Sequence, residues 1–145
     1  SGNSAELFWM FTEDGIDFQA KGLQMTFQNN ILITMIDSYY LFQKGSSVTS
    51  VMQERAVEIA EDYVKTMSYL IEGQQVSGFK TTRPAASIQM VPHVRGGSVE
   101  LYPYWYVELN LDRIYFGGLN LVAVGIYADT GQVADVQLLR GSIDL

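Results

Sequence analysis

Two periodicities divide the chain. From Glu6 to Ile36, and again from Ser87 to Leu139, apolar residues come in short runs or at every second position, as strands require. Between them, residues 51–72 repeat at helical spacing. ELFWMFT and IDFQAKG flank an acidic glycine turn, Glu13-Asp14-Gly15, and read as a hairpin. Leu23, Met25 and Phe27 then alternate with Gln24, Thr26 and Gln28, the pattern of a half-buried strand. Asn29-Asn30 tolerates left-handed backbone angles and predicts a tight turn. Ile31–Ile36 is β-branched and predicts a strand; residues 37–43 either extend it or form a helical turn.

KGSSVTS (44–50) is the clearest punctuation. Beyond it, Met52, Ala56, Ile59, Ala60, Tyr63, Met67, Leu70 and Ile71 form one apolar helical stripe. Glu54, Glu58, Glu61 and Lys65 lie opposite, with Glu61 and Lys65 spaced to pair at i, i+4. Ser50 and Gln53 match a capping box, and Gly73 is the natural stop. A single helix over 51–72 is therefore expected. Residues 74–86 read as a polar connection with a short strand near Val76–Lys80. Ser87–Val91, Leu119–Ala128 and Gln132–Leu139 read as strands, with Asp129-Thr130-Gly131 as the last turn.

The stretch SVELYPYWYVELNLD (98–112) has a dry side and a wet side. Val99, Leu101, Pro103, Trp105, Val107, Leu109 and Leu111 are all apolar; Ser98, Glu100, Tyr102, Tyr104, Tyr106, Glu108 and Asn110 are polar or amphipathic. One long strand is predicted, its odd face on the helix stripe, with an edge position or bulge at Pro103. The tyrosine row with its flanking carboxylates is either an ordinary strand face or a stacking surface for a peptide or glycan. The segment before residue 48 could also cover it.

Composition narrows the function. The 145 residues suit one domain with a proper core, and 48% are hydrophobic. Net charge is −7 with only nine basic residues, which disfavours nucleic acid. The absence of cysteine removes disulfides, thiol nucleophiles and Cys-based zinc sites. The chain opens Ser-Gly rather than Met and reads as a processed or cloned fragment, any signal or anchor upstream being already removed.

The order QERAVEIAEDYVKTM, then WYVELN, then YADTGQVADVQ resembles the PepSY domain family over residues 50–140. That family is found in exported prokaryotic proteins and in propeptides of secreted metallopeptidases. Trp105, Val107, Asp129, Thr130, Gly131 and Val133 fall where its aromatic-x-Val strand and late Gly hairpin would be. The connection after the helix and the loop 112–118 are longer than in the family, and residues 1–47 have no counterpart. The resemblance implies a non-catalytic, extracytoplasmic module that binds or restrains a protein or peptide partner.

Candidate chemistry is thin. Asp129-Thr130-Gly131 matches the aspartic-peptidase signature, but that chemistry takes two such aspartates and the chain has one. A three-residue hairpin loop with glycine at the left-handed position explains it as well. His93 is the sole histidine and cannot build a His-rich metal site. Glu13, Asp14 and Asp17 lack the regular ligand spacing of a calcium loop. Glu100 and Glu108 stand about 27 Å apart on an extended strand, beyond glycosidase range. No metal or cofactor is expected.

The expected fold class is α+β: a long amphipathic helix on a twisted antiparallel sheet. Residues 1–47 would be a β-hairpin extension of the same globular unit, and 48–145 the helix-plus-sheet domain. The expected function is a partner-binding module using Glu100, Tyr102, Tyr104, Tyr106 and Glu108. A small apolar ligand held between helix and sheet is the alternative, and an aspartic-type peptidase the remote one.

Overall fold

The computed structural model describes residues 2–141. It is mostly β: 59% of residues lie in strands and 10% in one short helix, distributed over several sheets. This corrects the α+β expectation of a long helix on one sheet. The strands are β1 (Ser4–Glu13), β2 (Ile16–Gln28), β3 (Ile31–Asp37), β4 (Gln43–Lys44), β5 (Ser68–Ile71), β6 (Gln74–Ser77), β7 (Thr81–Met90), β8 (His93–Val94), β9 (Glu100–Tyr102), β10 (Tyr104–Tyr115), β11 (Leu119–Tyr127) and β12 (Val133–Leu139). The helix, α1, is Gln53–Thr66.

The helix is shorter than its apolar spacing predicts, for two local reasons. Met67 is extended and closes the helix. Glu72 and Gly73 then both take positive φ, 49° and 81°, which makes the two-residue turn of a β5–β6 hairpin with Ile71 opposite Gln74. Gly73 is thus a hairpin glycine rather than a helix stop. Nor does the capping box form: Met52 is the N-cap, with no side-chain hydrogen bond. Val51 holds the helix entry instead. Its N–H donates to Ala128 O (2.8 Å) and its carbonyl accepts from Trp105 Nε1 (2.8 Å).

The chain forms two compact units, one from the N-terminus to Ser47 with Val91–Pro103, the other from Val48–Met90 with Tyr104 onward. In the first, β1-β2-β3 is an antiparallel meander, and β4-β9-β8 is a small sheet in which β4 runs parallel to β9. Asp14, Asn29 and Asn30 take positive φ at the two hairpin turns of the meander, as their short polar side chains allow. Phe18, Leu101 and Pro103 are the largest fully buried side chains here.

In the second unit the sheet order is β12-β11-β10-β7, all antiparallel. Val107 and Leu109 stand opposite Val124 and Val122 and share one face with them. All four are fully buried in a core that also takes Ala56, Ala60 and Val64 of α1. These three are spaced i, i+4, i+8, and their small side chains let the helix backbone come close. The predicted stripe is only half right: Ala56 and Ala60 are buried, but Met52, Tyr63 and Leu70 are exposed.

Candidate functional site

Pro103 divides the stretch read as one strand. It lacks an N–H for the ladder and is fully buried. Before it, β9 pairs with β8 and β4; after it, β10 pairs with β11 and β7. Tyr102 and Glu100 therefore belong to one unit, and Tyr104, Tyr106 and Glu108 to the other. The five residues do not form the single face that alternation predicts.

Tyr102 is held on all sides. Its hydroxyl donates to Glu100 Oε2 at 2.6 Å, and the Arg95 guanidinium lies 4.1 Å from its ring centroid. Gly45 packs so close that a Cβ there would stand 2.8 Å from the ring. Tyr104 is core, only 3% exposed. It crosses Gly125 on β11 to donate to Asp135 Oδ1 at 2.5 Å on β12, and its ring meets Tyr127 edge-on. Tyr106 is half-buried on the same face, where Ser87 donates to Glu108 Oε2 at 2.6 Å. An alanine scan of all three tyrosines would thus remove a core ring as well as surface.

Burial, then the hydrogen bond and charge of Asp135, hold the Tyr104 phenol protonated well above the ordinary tyrosine range. The folded state keeps this proton where the unfolded chain loses it. The stabilisation is therefore intact below the unfolded tyrosine pKa of about 10 and is lost as pH rises beyond it. Urea unfolding between pH 9 and 11.5 should show stability falling with pH, and Tyr104→Phe should flatten that fall. An equal slope in the two proteins would mean that Tyr104 is not the group responsible.

The motif residues have structural roles. Trp105 and Val107 pack on the core, and Trp105 anchors Val51. Asp129-Thr130-Gly131 is the β11–β12 turn: Gly131 has φ 75°, its N–H donates to Tyr127 O at 2.8 Å, and Thr130 Oγ1 accepts from Gln132 N at 3.2 Å. Among the described residues no group of three or more His, Cys, Asp or Glu is placed to hold a metal ion.

A different feature has the geometry of a binding site. A groove of about 480 Å³ runs between the first turns of α1 and β7, within the size range of ligand sites. Val57, Pro84, Ala85 and Ile88 give it an apolar floor; Gln53, Glu54, Glu58 and Arg83 give it a polar rim. β7 is the outermost strand of its sheet, so one of its backbone edges has no strand partner. Its register with β10 breaks between Ser87 and Thr82, the irregularity that puts Arg83, Pro84 and Ala85 at the groove.

The rim is acidic in effect. Arg83 makes a two-pronged contact with Glu61, Nε to Oε1 at 2.8 Å and Nη2 to Oε2 at 2.7 Å. The Arg83 hydrogen bond keeps the Glu61 carboxyl below its usual range. Arg83 is thus spent on Glu61, which does not pair with Lys65 as its spacing predicts; Lys65 binds Asp62 at 2.9 Å. Arg55 neutralises Glu58 at 2.7 Å, and Glu54 contributes a further carboxylate.

Sequence alone does not find this groove. Glu54 and Glu58 read as the wet side of a helix, and Arg83–Ala86 as part of a polar connection. The one legible sign is a proline inside TTRPAASIQM, which marks a bulge or an edge once that segment is known to be a strand. The chain matches no protein-family model, no curated protein and no solved structure. Geometry and chemistry are what bear on its function.

Proposed function

We propose that this chain is a non-catalytic interaction module that binds an extended, basic peptide segment in the groove between α1 and β7. The observation that carries this is the placement of an apolar floor and a carboxylate rim beside an open strand edge. An edge strand supplies main-chain hydrogen bonds to an added strand, and a flanking groove selects side chains. Val57, Ala85 and Ile88 would take the apolar side chains; Glu54, the rim carboxylate that Arg55 does not neutralise, would favour a Lys or Arg beside it.

The PepSY resemblance, which implies partner binding outside the cytoplasm, agrees with this reading. Among the described residues no helix is long and apolar enough to cross a membrane. A small apolar ligand enclosed between α1 and the central strands β10 and β11 finds less support, because Ala56, Ala60, Val64, Val107, Leu109, Val122 and Val124 already fill that space.

Selection from a random dodecapeptide library on the immobilised protein provides the test. Selected peptides should combine basic and apolar residues. Glu54→Gln/Glu58→Gln should weaken the best of them about tenfold in fluorescence anisotropy, the loss of one charge-assisted contact. Val57→Arg should abolish binding. Enrichment of acidic peptides, or affinity unchanged in both variants, would refute the proposal.

A further inference from the structure

The meander β1-β2-β3 carries its apolar side chains on a face that nothing in its own unit fills. Cα partners put Ala5 opposite Phe27, Leu7 opposite Met25 and Trp9 opposite Leu23. On the far side Met35 stands opposite Met25 and Leu32 opposite Phe27. Residues opposite each other share a face, so eight apolar side chains line up on three strands. Leu7 (44%), Trp9 (53%), Leu32 (45%) and Met35 (56%) are open to solvent. The reverse face is mixed: Glu6, Gln24, Thr26 and Thr34 lie among Phe8, Met10 and Ile36, and Gln24 donates to Glu6.

An antiparallel sheet in water normally buries one face and wets the other. Here both faces are open to solvent, with Phe8 (48%), Ile31 (64%) and Ile36 (54%) exposed on the reverse, and the side without Glu6, Gln24, Thr26 and Thr34 is the drier. Taking about 200 Å² for each fully exposed large side chain, it presents about 500 Å² of apolar surface. That is at the upper end of the largest patch expected on a monomer.

We infer that this face is a symmetric self-association surface, packed against the same face of a second copy. Three observations select that occupant. First, two such faces together bury about 1,000 Å², the area at which specific protein interfaces begin. Second, the strand segments that form the face, residues 4–10, 22–28 and 31–37, contain no Lys or Arg; Glu6 and Asp37 are their only charges. A membrane surface is met through Lys and Arg, so a lipid occupant fits poorly.

Third, a two-fold axis lying between the two faces and parallel to them sets apolar against apolar; Glu6 is on the reverse side, and Asp37, opposite Leu23, sits at the rim of the face at the end of β3. Two twisted sheets then stack about 10 Å apart at about −30°, in the manner of a β-sandwich. Each meander is left with its mixed face, the one that carries Glu6, Gln24, Thr26 and Thr34, in water. This inference is independent of the peptide groove, since no groove residue lies in this unit.

Sedimentation velocity from 1 to 100 µM at 0.15 M salt, where the repulsion of two −7 chains is screened, tests it. The wild type should be a concentration-dependent dimer. Leu7→Glu and Met25→Glu should each weaken dimerisation at least 100-fold with far-UV circular dichroism unchanged. Thr26→Glu, on the reverse face, should leave the dimer intact. Without any variant, Trp9 emission should shift to the red as the dimer is diluted apart. A monomer at 100 µM overturns the inference. So does a dimer that persists in Leu7→Glu, which would place association on the strand edges, or association seen only with phosphatidylcholine vesicles.

Discussion

Gly125→Ala should lower stability by about 3 kcal/mol, well beyond the usual effect of one methyl group. Its φ is not in the left-handed region, so backbone freedom is not the reason. The reason is space. A Cβ at 125 would stand 1.4 Å from Tyr104 Oη, 2.1 Å from Tyr104 Cζ and 2.4 Å from Asp135 Oδ1. Asp135 is exposed and can turn away, but the Tyr104 ring is buried, rigid and packed edge-on against Tyr127. The ring must leave, giving up its burial and its hydrogen bond together.

Urea unfolding checks this directly. The midpoint should fall by about 1–2 M. Gly97→Ala, where no atom lies within 4 Å of the added carbon, should change it little. In a Tyr104→Ala background the Gly125→Ala penalty should nearly vanish, giving a coupling of about 2–3 kcal/mol between the two sites. A penalty below 1 kcal/mol in the wild-type background would show that Tyr104 has another buried resting place.

Trp105→Ala should cost about 3 kcal/mol and weaken the groove as well. Trp105 is half-buried, so part of the loss is packing against the α1 core. The rest is specific: indole Nε1 is the donor to Val51 O, and Val51 N–H is bonded to Ala128 O on the other side. These two bonds set where the helix begins, and with it Gln53, Glu54 and Val57 on the groove wall. Trp105→Phe keeps most of the packing and removes the donor, so it should cost about 1 kcal/mol. Both variants should lose peptide affinity in anisotropy. Trp105→Phe with wild-type stability and affinity would mean that Ala128 alone positions the helix.

The comparison between tyrosines shows where sequence reading stops. Tyr102, Tyr104 and Tyr106 are equivalent by alternation, yet one is stacked under Arg95, one is core and one is half-buried. The partner that draws Tyr104 inward, Asp135, is 31 residues away, and the glycine that makes room for it sits on the strand between. No pattern within residues 98–112 contains that information. The candidate groove was hidden for the same reason. Its two walls are far apart in sequence, and each by itself looks like a solvated surface.

By itself the sequence determined what depends on near neighbours. Asn29-Asn30 and Asp129-Thr130-Gly131 turn the chain because their residues tolerate positive φ or carry turn-forming side chains. Val107, Leu109 and Leu111 face a core because strand geometry alternates. Tertiary structure decided what depends on competition between distant contacts. It ended the helix at Thr66 in favour of a hairpin, split the aromatic strand at Pro103 and left the meander's apolar side uncovered. Periodicity says that a face is apolar; only the layer packed against it, or missing from it, says whether that face is core or surface.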